Sequence, residues 1–258
     1  MKIAACVEYD GTAYCGWQRL NHAPSIQEEV EKALSYIANE TIDIVCAGRT
    51  DSGVHGIGQV IHFETQAERN NKAWLMGVNT KLPDDIAIRW VKPVDPEFHA
   101  RFSALSRRYR YIILNRHSRP ALFHHQLCWF PYDLDETLMH QAAQSLLGEQ
   151  DFSSFRAAGC QAKHAKRNVQ ATSVKRCGEY IYIDIQANAF LHHMVRNIVG
   201  SLLMVGQKKQ SVDWIAELLE QKDRNLAGAT APASGLYFVA VQYPKKFNID
   251  IPLVLPSF

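Results

Sequence analysis

Apolar and polar positions alternate over residues 2–9, where Ile3, Ala5, Val7 and Tyr9 fall on one side of an extended chain, so the chain opens on a β-strand. Over 26–38 the period changes: Ile26, Val30, Ala33, Leu34 and Ile37 recur at helical spacing. Ser25 stands where an N-cap belongs and Glu28 follows three residues on, the capping-box pattern, which predicts a helix over 26–38. Strands over 42–46 and 59–64, a helix over roughly 70–80 and a strand over 86–92 complete a first half. Strand–helix–strand–strand–helix–strand is the order of a split βαβ, ferredoxin-like unit with an antiparallel sheet.

A link over 95–107 leads to a second half of similar grammar. The pattern predicts a strand over 107–114, a loop rich in His, Pro and Trp, and a helix over 135–147 stopped by Gly148. A basic loop over 156–168, a hairpin of 171–176 and 180–187 turned at Gly178, and helices over 191–205 and 212–220 come next. A last strand over 236–243 ends at Pro244. The expected fold is α+β, built of two ferredoxin-like (split βαβ) halves. The domains are an N-terminal one over 1–103, a C-terminal one over 104–244, and an extended tail over 245–258 whose Ile251, Leu253, Val254 and Leu255 need cover from the body or a partner.

Composition narrows the class. With 47% apolar and 21% charged residues among 258, the chain is an ordinary globular protein with enough residues for two cores. No apolar run approaches the ~20 residues that span a bilayer, and the run 3–7 is broken by Glu8, so no membrane anchor or signal peptide is expected. Six cysteines lie scattered without a CxxC pair, which argues against a zinc cage or a disulfide framework and for a cytoplasmic protein with reduced thiols. The net charge of +2 hides an uneven distribution. Residues 98–132 hold no acid but include Arg101, Arg107, Arg108, Arg110, Arg116 and Arg119; residues 152–178 are likewise acid-free and basic. Two such segments in a nearly neutral protein suggest a surface for a polyanion.

Three stretches carry candidate chemistry. In 47–58, four glycines frame Arg49, Thr50, Asp51, Ser52 and His55, which reads either as a polar hairpin connection or as a site with clearance for a nucleotide. In 107–111, Arg107, Tyr109 and Tyr111 share one face of a strand and Arg108 and Arg110 the other, the interleaving that a stacking surface beside phosphates requires. In 190–205 a mostly apolar helix carries Arg196, whose guanidinium needs a carboxylate nearby; Asp184 and Asp51 are candidates. His192 and His193, adjacent on that helix, point about 100° apart and are not a metal pair. No Walker loop, dinucleotide fingerprint or nucleophile elbow occurs.

Gly-Arg-Thr-Asp-Ser-Gly-Val-His-Gly at 48–56 resembles the active-site signature of the tRNA pseudouridine synthase A family. The residues Tyr9-Asp10-Gly11-Thr12 with Gly16-Trp17-Gln18, the block 106–111, Asp151-Phe152-Ser153-Ser154-Phe155, the block 190–196 and Gly235-Leu236-Tyr237 resemble further blocks of that family, in its order. The resemblance implies an isomerase that converts uridine to pseudouridine at positions 38, 39 and 40 in the anticodon stem-loop of tRNA. It implies a homodimer without metal or cofactor, and two halves forming a joined, mainly antiparallel sheet with helices on one side and a central basic cleft. By the same resemblance Asp51 is the nucleophile, Arg196 its ion-pair partner, and Arg49 assists in displacing the base. Tyr109 stacks on the target uracil and Leu236 lines the pocket, while the basic strand pattern makes Arg107 and Arg108 expected RNA contacts. A non-catalytic RNA-binding module of the same fold is the alternative, and a nucleoside hydrolase a third.

Overall fold

The computed structural model describes residues 1–249 and 253–258. The chain divides into two compact units, Met1–Arg107 with Tyr237–Pro256, and Arg108–Leu236 with Ser257–Phe258.

The first unit runs β1 (Lys2–Tyr9), α1 (Ile26–Ala38), β2 (Val45–Cys46), β3 (His55–Glu64), α2 (Asn71–Asn79) and β4 (Ile86–Pro93). Strand β1 lies between β3 and β4, antiparallel to both, and β2 pairs antiparallel with β3. The order β4-β1-β3-β2 is that of the split βαβ plan. Its core follows from the two periodicities. Ile3, Ala5, Val7 and Tyr9 from one face of β1 join Val30 and Leu34 of α1 and Trp74 and Val78 of α2 in one buried cluster. Ser25 caps α1 as the pattern requires, its Oγ accepting the Glu28 amide at 3.4 Å.

The second unit takes up β5 (Ser106–Asn115) two residues after it starts, then β6 (Cys128–Phe130), α3 (Glu136–Gln144), β7 (Gly148–Asp151), β8 (Lys166–Cys177), β9 (Tyr180–Ala187), α4 (Met194–Gly206) and α5 (Trp214–Gln221). Strand β9 lies between β5 and β8, with β7 beyond β8 and the short β6 parallel to β5. The strands among the described residues are mainly antiparallel, and the fold is mixed α and β as expected.

Several boundaries differ from the sequence pattern, some for nonlocal and some for local reasons. The helix expected over 135–147 ends at Gln144, and Gly148, at φ +89°, opens β7 instead of closing the helix. Strands β6 and β7, three and four residues long, are too short to show alternation. Pairing with β7, from Gly148↔Val169 to Asp151↔Lys166, draws residues 166–168 of the expected loop into β8. Helix α4 starts at Met194 because His193 takes the left-handed conformation at φ +58°, so His192 and His193 precede the helix, their ring centroids 4.0 Å apart.

A last strand, β10 (Leu236–Gln242), pairs in parallel with β3 through Tyr237↔His55 and Phe238↔Gly56. In the tail, Phe247 packs on Phe98, whereas Leu253 and Val254 stay 48% and 44% exposed; Ile251 lies outside the described residues. No helix of the described residues is long and apolar enough to cross a membrane.

The approach of β10 also explains a glycine. A Cβ on Gly58 would collide with the Val239 carbonyl oxygen, a backbone atom that cannot step aside. Gly58→Ala is therefore expected to destabilise the protein by about 3 kcal/mol or more, lowering Tm by roughly 10 °C in a thermal melt.

Candidate active site

Residues 47–54 connect β2 to β3 without regular structure, and the neighbouring chain fixes their path. The Trp17 amide donates to the Thr50 carbonyl at 3.0 Å, and the Val54 amide to the Asp51 carbonyl at 3.1 Å. The hydroxyls of Tyr9 and Thr50 are hydrogen-bonded at 2.8 Å in a buried setting, and Ser52 Oγ donates to the Tyr14 carbonyl at 3.2 Å. Burial pushes the Tyr9 phenol well above its ordinary range, so it stays a neutral hydrogen-bonding group. Gly16, at φ +91°, lies where a Cβ would come within 2.7 Å of the Thr50 carbonyl oxygen. Residues 9–17 and 50–54 are thus laid one against the other, with no space for a side chain at Gly11 or Gly16.

The result is an alternation along the loop. Thr50 and Val54 are buried, Asp51 is half-buried, and Arg49 and Ser52 are exposed. Gly53 turns the chain at φ +74°. His55, expected in the loop, is the first residue of β3 and is 2% exposed. Its Nδ1 lies 3.1 Å from both the Gly11 amide and Asp10 Oδ1, and its ring stacks on Tyr237 with centroids 4.8 Å apart. His55 therefore ties the start of β3 to the turn after β1. The glycines read as clearance for a nucleotide have occupants from the chain itself: Tyr9 faces Gly56, and the β10 backbone faces Gly58.

Arg107 closes the other side of the loop. Its Nε and Nη2 donate to the Ala47 carbonyl at 3.2 and 3.0 Å, Nη1 to the Ala104 carbonyl at 3.3 Å, and Nη2 to the Arg101 carbonyl at 2.5 Å. The sequence placed this residue on an RNA surface; in the structure its guanidinium spans three backbone carbonyls and joins the 101–104 turn to the residue that opens the loop. Gln59 adds a second tie, its Nε2 donating to the Gly48 carbonyl at 2.5 Å.

In the second unit, Tyr109 is 8% exposed with its ring edge-on to Phe190, centroids 4.8 Å apart. Tyr111, on the same face of β5, is fully buried and donates its hydroxyl to the Pro232 carbonyl at 2.8 Å, which makes it a packing residue. On the opposite face Arg110 takes Asp184 through two contacts, 3.1 and 2.8 Å, and Arg108 reaches the same carboxylate at 3.5 Å. Asp184, considered as a partner for Arg196, belongs to this pair.

Arg196 is half-buried in the first turn of α4, its Nε donating to the Ala231 carbonyl at 2.8 Å. The Ala231 amide returns a bond to the Arg196 carbonyl at 3.1 Å. Residues 231–235 thereby link Arg196 to Tyr111 and end at Leu236, which is 5% exposed. The unit brings Tyr109, Arg196 and Leu236 onto three connected elements. The sequence reading missed Tyr9, Asp10 and Gly16 as the loop's supports, although the run 9–18 held them in one block.

Comparison with known proteins agrees with these motifs. The model of a family described as tRNA pseudouridine synthase matches residues 5–103 and 142–244. A tRNA pseudouridine synthase A from Hydrogenovibrio crunogenus is 60% identical over 247 residues, covering 96% of this chain and 94% of that protein. Namesakes from Shewanella denitrificans and Escherichia fergusonii are each 59% identical and cover 100% of this chain, with 99% and 95% of their own lengths matched. Among solved structures, a chain from the "Crystal Structure of a Cbf5-Nop10-Gar1 Complex" aligns at TM-score 0.38 and 12% identity, over 91% of this chain and 57% of that one. The chain belongs to the tRNA pseudouridine synthase A family, enzymes that isomerise uridine in tRNA.

Proposed function

We propose that this enzyme converts uridine to pseudouridine at positions 38, 39 and 40 of the tRNA anticodon stem-loop, with Asp51 as the nucleophile. The observation that carries the reading is the loop at 47–54. The Asp51 backbone is held by bonded neighbours while the residue stays only half-buried, a placement that suits a nucleophile.

The reaction sets the demands. The bond from the ribose C1′ to N1 of uracil breaks, the base turns, C1′ bonds to C5, and the proton lost from C5 is balanced by one taken up at N1. Reactant and product contain the same atoms at the same oxidation level, so the chemistry needs a nucleophile to hold one fragment and walls to hold the other, not a redox partner. Asp51 supplies the nucleophile, Arg196 pairs with it, and Arg49, exposed two residues before it, assists in displacing the base. Tyr109 stacks on the uracil and Leu236 lines the pocket. A base leaving its stem loses a few kcal/mol of stacking and pairing, of which an aromatic ring returns roughly 1–3 kcal/mol.

Arg108 and Arg110 share one carboxylate, Asp184, and so leave a surplus positive charge for a phosphate at the Arg108 end. Arg107 serves the RNA site through the loop that it braces. The enzyme acts in the cytoplasm as a homodimer, which predicts a mass of two chains by sedimentation at micromolar concentration.

Asp51→Asn should abolish pseudouridine formation and leave tRNA binding within a few-fold of wild type; turnover near the wild-type rate would reject Asp51 as nucleophile. Tyr109→Phe, which keeps the ring, should retain most of the binding, whereas Tyr109→Ala should weaken it about tenfold. Arg107→Ala should cost about 2 kcal/mol of stability, read from the urea midpoint, by leaving carbonyls without their donor. Arg107→Lys keeps the charge but cannot span three carbonyls, and should restore less than half of that loss.

A further inference from the structure

The turn that follows Phe98 displays an aromatic ring that the fold does not use. Phe102 is 77% exposed, in a chain whose other phenylalanines around it, Phe98 and Phe247, are buried at 0% and 8%. An exposed phenylalanine is ordinary on a mobile loop, but this turn is not free to move. The His99 carbonyl accepts the Ser103 amide at 2.9 Å, and Ser103 Oγ accepts the His99 amide at 3.1 Å. The Ala100 amide donates to His62 Nδ1 at 3.1 Å, and the Ala100 carbonyl accepts the Tyr243 hydroxyl at 2.7 Å. The Arg101 carbonyl accepts Arg107 Nη2 at 2.5 Å.

His99 orients the ring directly. Its Nδ1 accepts the amides of Arg101 and Phe102 at 3.2 and 3.1 Å, and its imidazole lies under the Phe102 ring, centroids 4.3 Å apart at 30°. Burial and the nearby charge of Lys2 hold His99 below its ordinary pKa, which keeps Nδ1 an acceptor at neutral pH. One face of Phe102 is thus stacked on a neutral ring, and the residue as a whole stays 77% exposed. Arg101, exposed, carries its guanidinium carbon over the ring at 5.7 Å from the centroid, a loose contact that an incoming base can displace. No acid occurs from 98 to 132, and the acid just before the turn, Glu97, is paired with Lys246 at 3.1 Å.

We propose that Phe102 is a stacking platform for an unpaired base of the substrate tRNA, distinct from Tyr109, with Arg101 contacting the adjoining phosphate. A rigidly held aromatic ring next to an exposed cation is the chemistry that takes a splayed base and its backbone. Because the turn is ordered before RNA arrives, stacking costs little conformational entropy. The proposal rests on tRNA as the substrate and is independent of which residue is the nucleophile.

The test is equilibrium binding of an unmodified tRNA transcript across a salt series, together with steady-state kinetics. Phe102→Ala removes a side chain that is mostly in water, so the fold survives and thermal melts should overlay. It should raise Kd and KM for tRNA about tenfold, with kcat within twofold and an unchanged salt slope. Phe102→Trp should bind as wild type or better. Arg101→Ala should lower the salt slope by about one. Binding by Phe102→Ala within twofold of wild type would overturn the proposal. So would a loss that comes with a change of sedimentation coefficient, because it would assign the ring to a contact with a second copy of the chain.

Discussion

Everything at the candidate site depends on how two irregular segments lie against each other. The turn after β1 and the loop before β3 are both rich in glycine and both lack regular hydrogen bonding, so neither has a fixed shape alone. Together they are determined by the Trp17 amide on the Thr50 carbonyl, the Tyr9 and Thr50 hydroxyls, Ser52 on the Tyr14 carbonyl, and the Gly11 amide on His55. Each buried polar group there has a partner, the condition under which a loop can be both buried and precise. A side chain carried on such a loop is held in place, and in an active site a misplacement of one ångström costs orders of magnitude in rate.

The arginines divide by what they touch. Arg107 is occupied by carbonyls of its own backbone surroundings, Arg110 by Asp184, and Arg196 in part by the Ala231 carbonyl. Arg49 and Arg101 are exposed. The arginines therefore fall into two populations, one tied to acceptors of the fold and one exposed to solvent. Formal charge does not separate them; the acceptor within reach of each guanidinium does.

The bounds of α1 and β1 were legible residue by residue, because a cap and an unbroken period are local facts. The block 48–56 and the arginine on an apolar helix were legible too, since both depart from what a loop or a core helix would carry. What the sequence could not show was set by distant partners. The early start of β3 reflects its pairing with β1 and β10, the extension of β8 reflects β7, and the need for Gly58 reflects the Val239 backbone. His192 and His193 looked helical because the apolar run continues through them, and a single left-handed residue moved them off α4. Phe102 lay in a segment noticed for its charge, and nothing local distinguished it from the buried aromatics beside it.

The central claim is that the Asp51 loop directs an isomerisation at adjacent uridines of one stem-loop. Incubating the wild-type enzyme with unmodified tRNA transcripts and mapping pseudouridine at nucleotide resolution tests it most directly. The account predicts conversion at positions 38, 39 and 40 wherever a uridine stands there, with no free base released. Conversion confined to another part of the tRNA, or release of uracil with an abasic site left behind, would contradict it.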